Sequence, residues 1–251
     1  MAKQESILEI KGSIGKLSFY KTADGHMVRK KASVNTKRMA TSPKYARTRE
    51  AMAQFGTAGA SGKLLRRALD PIAQLTSDRK VVSRLTTKMV EVVKADKINP
   101  RGKKNVIDGE TELLTGFEFN TVGQFATTFK SQFEPVIDRA TGNVQIKFAT
   151  FVPATNVKSP IEATHFQLHI AGVEMDFEKG AYVAQFKTTD PLLLDTKEVS
   201  ALELGVSLPP NSTHPLFLAV GITFSLEDIG VMLPINNNAF NALTIAQVSG
   251  V

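Results

Sequence analysis

The 251-residue chain contains no cysteine, which excludes structural disulfides, thiolate nucleophiles, cysteine zinc sites and iron–sulfur clusters. Histidine is almost as scarce, with only His26, His165, His169 and His214. No apolar run approaches the roughly 18 residues that a membrane-spanning helix needs. The start, MAKQESILEIKGS, lacks the basic-then-apolar layout of a secretion signal. These absences lead to the expectation of a cytoplasmic protein, or part of a particle assembled in the cytoplasm, with no membrane span. What is present is ordinary: 42% hydrophobic residues, with 17 Gly and 11 Pro, suits a packed core rather than disorder or a fibre.

Charge divides the chain. Residues 1–107 hold 24 Lys and Arg against 8 Asp and Glu, a net +16, whereas residues 108–251 hold 7 against 16, a net −9. The aperiodic stretch 97–105, with Pro100 and Gly102, reads as a loop between them. Two domains are therefore expected, a basic module over 1–107 and an acidic domain over 108–251. An acidic partner for the first half follows: nucleic acid, a membrane surface or the acidic half of a neighbouring copy. Mutual neutralisation within one subunit explains the asymmetry as well.

The local patterns give an α+β class. Residues 6–11 and 15–32 read as strands, with Thr22-Ala23-Asp24-Gly25 as a hairpin turn, and 33–41 as an aperiodic arm. Ser42-Pro43 opens a helix carrying the stripe Tyr45, Met52, Phe55, Gly59, Gly62, Leu65 and Leu69, which Asp70-Pro71 ends or bends. A second helix after Ser77-Asp78 puts Val82, Leu85, Met89 and Val92 on one face. Beyond 108 the period becomes 2, at Val144, Ile146 and Phe148, at Leu202, Leu204 and Val206, at Leu216 to Leu226, over 181–187 and at Leu243 and Ile245. Between Ile170 and Val173 the apolar parity shifts across Ala171-Gly172, the signature of a bulge. With turns at Val152-Pro153, Leu208-Pro209-Pro210 and Leu233-Pro234, the expected whole is a basic β-ribbon with two helices, followed by an antiparallel β-sandwich, Ig-like or jelly-roll-like.

Motifs for chemistry are sparse. Gly56-Thr57-Ala58-Gly59-Ala60-Ser61-Gly62-Lys63-Leu64 departs from a phosphate-binding loop at Thr57 and Leu64, so its small residues are better read as room for close packing. His165 and His169 on a strand stand about 13 Å apart, too far to share a metal ion. Glu174, Asp176 and Glu178 alternate opposite Val173, Met175 and Phe177, as solvated acids on a half-buried strand do. Asn211-Ser212-Thr213 matches a glycosylation sequon and reads as a turn. No catalytic, cofactor or metal residue is assigned, no small-molecule substrate is evident, and an enzyme is not expected.

The run Gly12-Ser13-Ile14-Gly15-Lys16-Leu17-Ser18-Phe19-Tyr20-Lys21, with Val28-Arg29-Lys30-Lys31, Arg47-Thr48-Arg49-Glu50 and Leu64-Leu65-Arg66-Arg67, resembles a family of uncharacterised bacterial proteins over most of the chain. The resemblance implies a bacterial origin and brings no function and no active residue. The residues themselves favour a structural protein that assembles head to tail through its opposite charges. Its N-terminal strand would add to a neighbour's sheet edge, with Ile7, Leu8 and Ile10 setting register and Lys30 and Lys31 steering. The alternative is sequence-insensitive nucleic-acid binding through Arg29, Lys37, Arg38, Lys44, Arg47, Arg49, Arg66 and Arg67, with Phe19, Tyr20 and Tyr45 either stacking on bases or serving as core.

Overall fold

A computed structural model describes residues 2–4, 9–31, 36–235 and 239–250. The chain is a mixed helix-and-strand protein with antiparallel sheets, divided into two compact units, Met1–Arg49 and Glu50–Val251.

In the N-terminal unit, β1 (Ala2–Lys3), β2 (Gly12–Ile14), β3 (Leu17–Thr22) and β4 (Gly25–Lys30) form one antiparallel sheet in the order β1-β4-β3-β2. The tight β3–β4 turn requires Gly25 at φ +111°, a backbone region that side chains disfavour. Where the sequence suggests an aperiodic arm, α1 (Thr36–Thr41) forms instead. The Arg49 guanidinium ties down its end, reaching Met39 O at 2.8 Å and, just beyond the helix, Ser42 O at 2.9 Å.

The chain enters α2 (Ala46–Ala68) through a 3-10 turn at Pro43–Tyr45. Ser42 has the extended backbone of a helix cap, yet its hydroxyl makes no cap bond. Within the expected stripe only Gly62, Leu65 and Leu69 are buried; Met52 is 54% and Phe55 61% exposed, because α2 meets the core only from Ala58 onward. Then come α3 (Asp70–Thr76) and α4 (Val81–Ala95). In α4 Leu85, Met89 and Val92 are buried as expected, joined by Val81 and Val93, while Val82 faces solvent.

The remaining elements are α5 (Phe125–Thr128), β5 (Phe133–Asp138), β6 (Asn143–Phe148), α6 (Pro153–Asn156), β7 (His165–Asp176), β8 (Ala181–Thr188), β9 (Leu192–Leu193), β10 (Leu202–Ser207), β11 (Leu216–Asp228), β12 (Val231–Ile235) and β13 (Ala242–Ser249). A three-stranded sheet runs β10-β6-β5, and a six-stranded sheet runs β12-β11-β7-β8, with β13 beside β12 on β11 and β9 beside β8 on β7. Leu233-Pro234, expected as a turn, lies inside β12, an edge strand where a missing N–H does no harm.

Two cores form, one on each face of β7 and β11. Ala171, Val173 and Met175 of β7, with Phe217 and Ala219 of β11, meet Leu65, Leu69, Leu85 and Met89 of the helices. Phe166, Leu168 and Ile170, with Leu218, Val220 and Ile222, meet Val144, Ile146 and Phe148 of β6. This corrects the bulge expected at Ala171-Gly172. The register of β7 is unbroken against both β11 and β8, and the parity shift records a strand passing from one core to the other. The register does slip between Leu218 and Ala219, in the pairing of β11 with β13. Gly172 serves close approach: a Cβ there would lie 2.7 Å from Val206 Cγ2.

The shared helix–sheet core also means that the boundary expected at 107/108 falls inside the second compact unit. Its loop is tied down by fully buried Asp96, whose carboxylate accepts the N–H groups of Ile98 (2.8 Å), Asn99 (2.9 Å) and Asn105 (3.0 Å) and the Asn99 amide (2.9 Å). Burial alone would raise its pKa; the bonds from Asn99, Asn105 and Ile98 outweigh it and hold the carboxyl at about 2. The charge change near 107 thus tracks surface character, not chain folding.

Candidate interaction surfaces

The N-terminal unit is basic, with 12 Lys and Arg against 3 Asp and Glu over residues 1–49. Among its described residues no apolar side chain is buried; only His26 is, and it lies 2.9 Å from Glu9. Residues directly opposite each other share a sheet face, so Phe19 lies with Val28, and Leu17 with Ile14 and Lys30. The result is an apolar row, Ile14, Leu17, Phe19 and Val28, flanked by Lys21 and Lys30. Ile14 is 58% and Leu17 44% exposed, and Phe19 and Val28 are half-buried. On the other face Arg29 stacks over Tyr20, 5.2 Å from the ring centre.

The sequence-derived association residues divide. Ile7 and Leu8 lie outside the described residues. Ile10 is exposed, but its N–H and carbonyl are bracketed by the Gln4 amide, both at 3.3 Å. Ala2–Lys3 pair with β4, and Gln4 N–H reaches His26 O at 2.8 Å. Of the strand expected over 6–11, the described residues Glu9, Ile10 and Lys11 form none, and the strand that does form, Ala2–Lys3, pairs within its own sheet. Lys30 and Lys31 are exposed. Among the candidate nucleic-acid contacts, Arg29, Lys37, Arg38, Lys44 and Arg47 are exposed in the N-terminal unit, while Arg49 is spent on the α1 carbonyls. Arg66 and Arg67 belong to the second unit, so the set does not form one continuous group within either unit.

The six-stranded sheet has unequal edges. The β13 edge is covered by the segment 116–119, through Gly116 N–H to Ile245 O and Phe119 N–H to Leu243 O, both 2.8 Å. Along the outer edge of β8, among the described residues, no backbone hydrogen bond is made. This strand carries Tyr182, Val183 and Phe186 at 43%, 41% and 37% exposure. At its start, the β7–β8 turn brings Glu174, Asp176 and Lys179 around a hollow of about 300 Å³ that Tyr182, Val183 and His214 also line. Glu174 is 9% exposed and accepts the Ser212 hydroxyl at 2.5 Å. Asp176 is held below the usual carboxylate range by the Lys179 N–H first, with His214 and Lys179 adding positive charge. These acids have turn-forming and anchoring partners; the sequon residue Ser212 is one of them.

The remaining polar features are internal. His169 bonds Thr188 Oγ1 at 2.9 Å and Thr223 Oγ1 at 2.7 Å, beside a cavity of about 160 Å³. Burial pushes its pKa down to about 4, so it is neutral at physiological pH with both ring nitrogens engaged. His165 bonds Thr164 instead. Among the described residues no three His, Asp or Glu side chains gather as a metal ion would need, and no helix is long and apolar enough to cross a membrane. The glycine-rich segment 56–64 is helical throughout; a Cβ at Gly62 would lie 3.6 Å from the Leu85 and Met89 side chains, while Gly56 and Gly59 face open space.

Glu118 is a side chain that sequence reading overlooked. Burial raises its pKa to about 7 against the opposing bonds from Phe125 N–H and Thr244. A carboxyl whose folded pKa exceeds its unfolded value favours folding below about pH 4.5, and that contribution is lost as pH rises toward 7. Solvent reaches this half-buried group, so the loss is about 1–2 kcal/mol. Glu118→Gln, which keeps the acceptor for Phe125, is expected to flatten the fall in Tm between pH 4.5 and 8 by roughly 3–6 °C. Parallel slopes for variant and parent would show that the carboxyl ionises normally.

No family model matches the chain, and neither a curated protein nor a solved structure matches it.

Proposed function

We propose that the protein is a structural, self-assembling one whose basic N-terminal unit docks on another copy, building head-to-tail oligomers. The observation that carries this reading is an N-terminal unit with an apolar sheet face, a net charge of +9 and no buried apolar side chain among its described residues. An isolated four-stranded sheet of this kind is marginal in water, and covering its apolar row would stabilise it. The opposite charge over 108–251 supplies a complementary surface on every copy, and such heterologous contacts propagate as rings or filaments. The shared core of the three- and six-stranded sheets favours a sandwich for the acidic part.

Light scattering on the full chain is expected to show species well above the monomer at low salt, shrinking as salt screens the charges. A monomer at every concentration and salt sinks the proposal. The same excess of cations favours a second reading, nucleic-acid binding by the N-terminal unit; a monomer whose affinity for a labelled oligonucleotide falls by decades with salt would put it first.

A further inference from the structure

We infer that a hollow of about 420 Å³ in the C-terminal unit, walled by α2, the loop 105–108 and the start of the β7–β8 turn, binds a small organic ammonium ion of the short alkyl diamine class. Asp108 and Glu178 both line it, and among the described residues no cationic side chain does. The lysines nearest to them in sequence are turned elsewhere: Lys104 Nζ bonds the carbonyls of Lys94 and Asp96, and Lys179 pairs with Asp176 at 3.6 Å. Asp108 Oδ2 accepts the amides of Asn99 (2.6 Å) and Asn105 (2.8 Å), which fixes the carboxylate while Oδ1 accepts nothing among the described residues.

Ser61 is an independent sign of a ligand. It is only 8% exposed, and its side chain lines the same hollow. A helical hydroxyl commonly returns to the carbonyl four residues back, as Thr57 does to Ala53 O at 3.2 Å. The Ser61 hydroxyl makes no hydrogen bond among the described residues, so a group withdrawn from bulk water is left to find its partner in the hollow. An ammonium carries three N–H donors and no acceptor, which suits a wall of carboxylates and a hydroxyl. Val106, Ile107 and Phe177 make the rest of the wall apolar. Methylenes pack there, whereas a metal ion would need more oxygen ligands than two carboxylates supply, and no three His, Asp or Glu side chains gather among the described residues. A second ammonium on a short chain answers the second carboxylate.

Calorimetric titration of the full chain with 1,4-diaminobutane at low salt tests this, and it reads the same site whether or not copies assemble. One saturable site per chain is expected. Ser61→Ala should weaken it about three- to tenfold and Glu178→Gln at least about tenfold, as losses of a neutral and a charged hydrogen-bond partner. Glu198→Gln, the same charge change at an exposed residue that does not line the hollow, should leave the affinity within about twofold of the parent's. Thermal melts matching the parent's qualify the variants as folded. No saturable binding by the parent, or equal affinities for the parent and both site variants, overturns the site. An equal loss in Glu198→Gln overturns it as well, by reducing the effect to net charge. Displacement of the diamine by magnesium at matched ionic strength overturns an organic ammonium as the occupant.

Discussion

Replacing Gly172 by leucine is expected to destabilise the C-terminal unit by roughly 3 kcal/mol, near the upper limit for overfilling a core. Gly172 lies on β7, facing the three-stranded sheet. A Cβ would stand 2.7 Å from Val206 Cγ2 and 3.5 Å from Val144 Cβ and Cγ1. Val206 is β-branched, so it has few rotamers into which to withdraw, and the strand register on both sides of Gly172 fixes the backbone. Thermal melts should show the loss, and Val206→Ala beside Gly172→Ala should recover most of the parent's Tm, since the second change clears the space the first needs. A Gly172→Leu chain that melts within about 2 °C of the parent would mean that the two sheets are not in such close contact.

Arg139→Ala should cost about 3 kcal/mol, a fall in Tm of about 6–12 °C. Its guanidinium, at the turn between β5 and β6, donates to Ser212 O (2.7 Å), His214 O (2.8 Å), Ser249 O (2.8 Å), Ser249 Oγ (2.9 Å) and Gly250 O (2.6 Å). One planar group thereby holds the entry to β11 against the end of β13. Alanine leaves those carbonyls without their charged donor. Lysine, with a single ammonium in place of a fork, should restore less than half of the loss. Equal melts for arginine and alanine would show that water satisfies these carbonyls equally well.

The alternating rows of β6, β10 and β11 were legible because alternation follows directly from the strand repeat. Strands β5 and β12 were not, since Pro135 and Pro234 interrupt them; both are edge strands, a position that sequence alone does not disclose. Met52 and Phe55 fit a helical stripe and yet face solvent, because periodicity reports a helix face and not whether anything covers it. The compact units divide at 49/50 and not near the charge change for a related reason: the helices of 50–95 are basic on the outside, but Leu65, Leu85 and Met89 answer to Val173 and Phe217 far along the sequence. Of the surface features, the cations of the N-terminal unit were visible in the sequence. The open edge of β8 was not, for a strand's neighbours are set by topology.

The two-sided burial of β7 and β11 bears on how the C-terminal unit comes apart. Each strand is a partition with side chains locked on both sides, so stripping away the helical layer exposes Phe217 and Val173, and stripping away β6 exposes Leu168 and Val220. Neither layer leaves behind a partner that is still satisfied. Helices and both sheets are therefore expected to unfold in one cooperative transition, with the slowest-exchanging amides in the two strands between the cores.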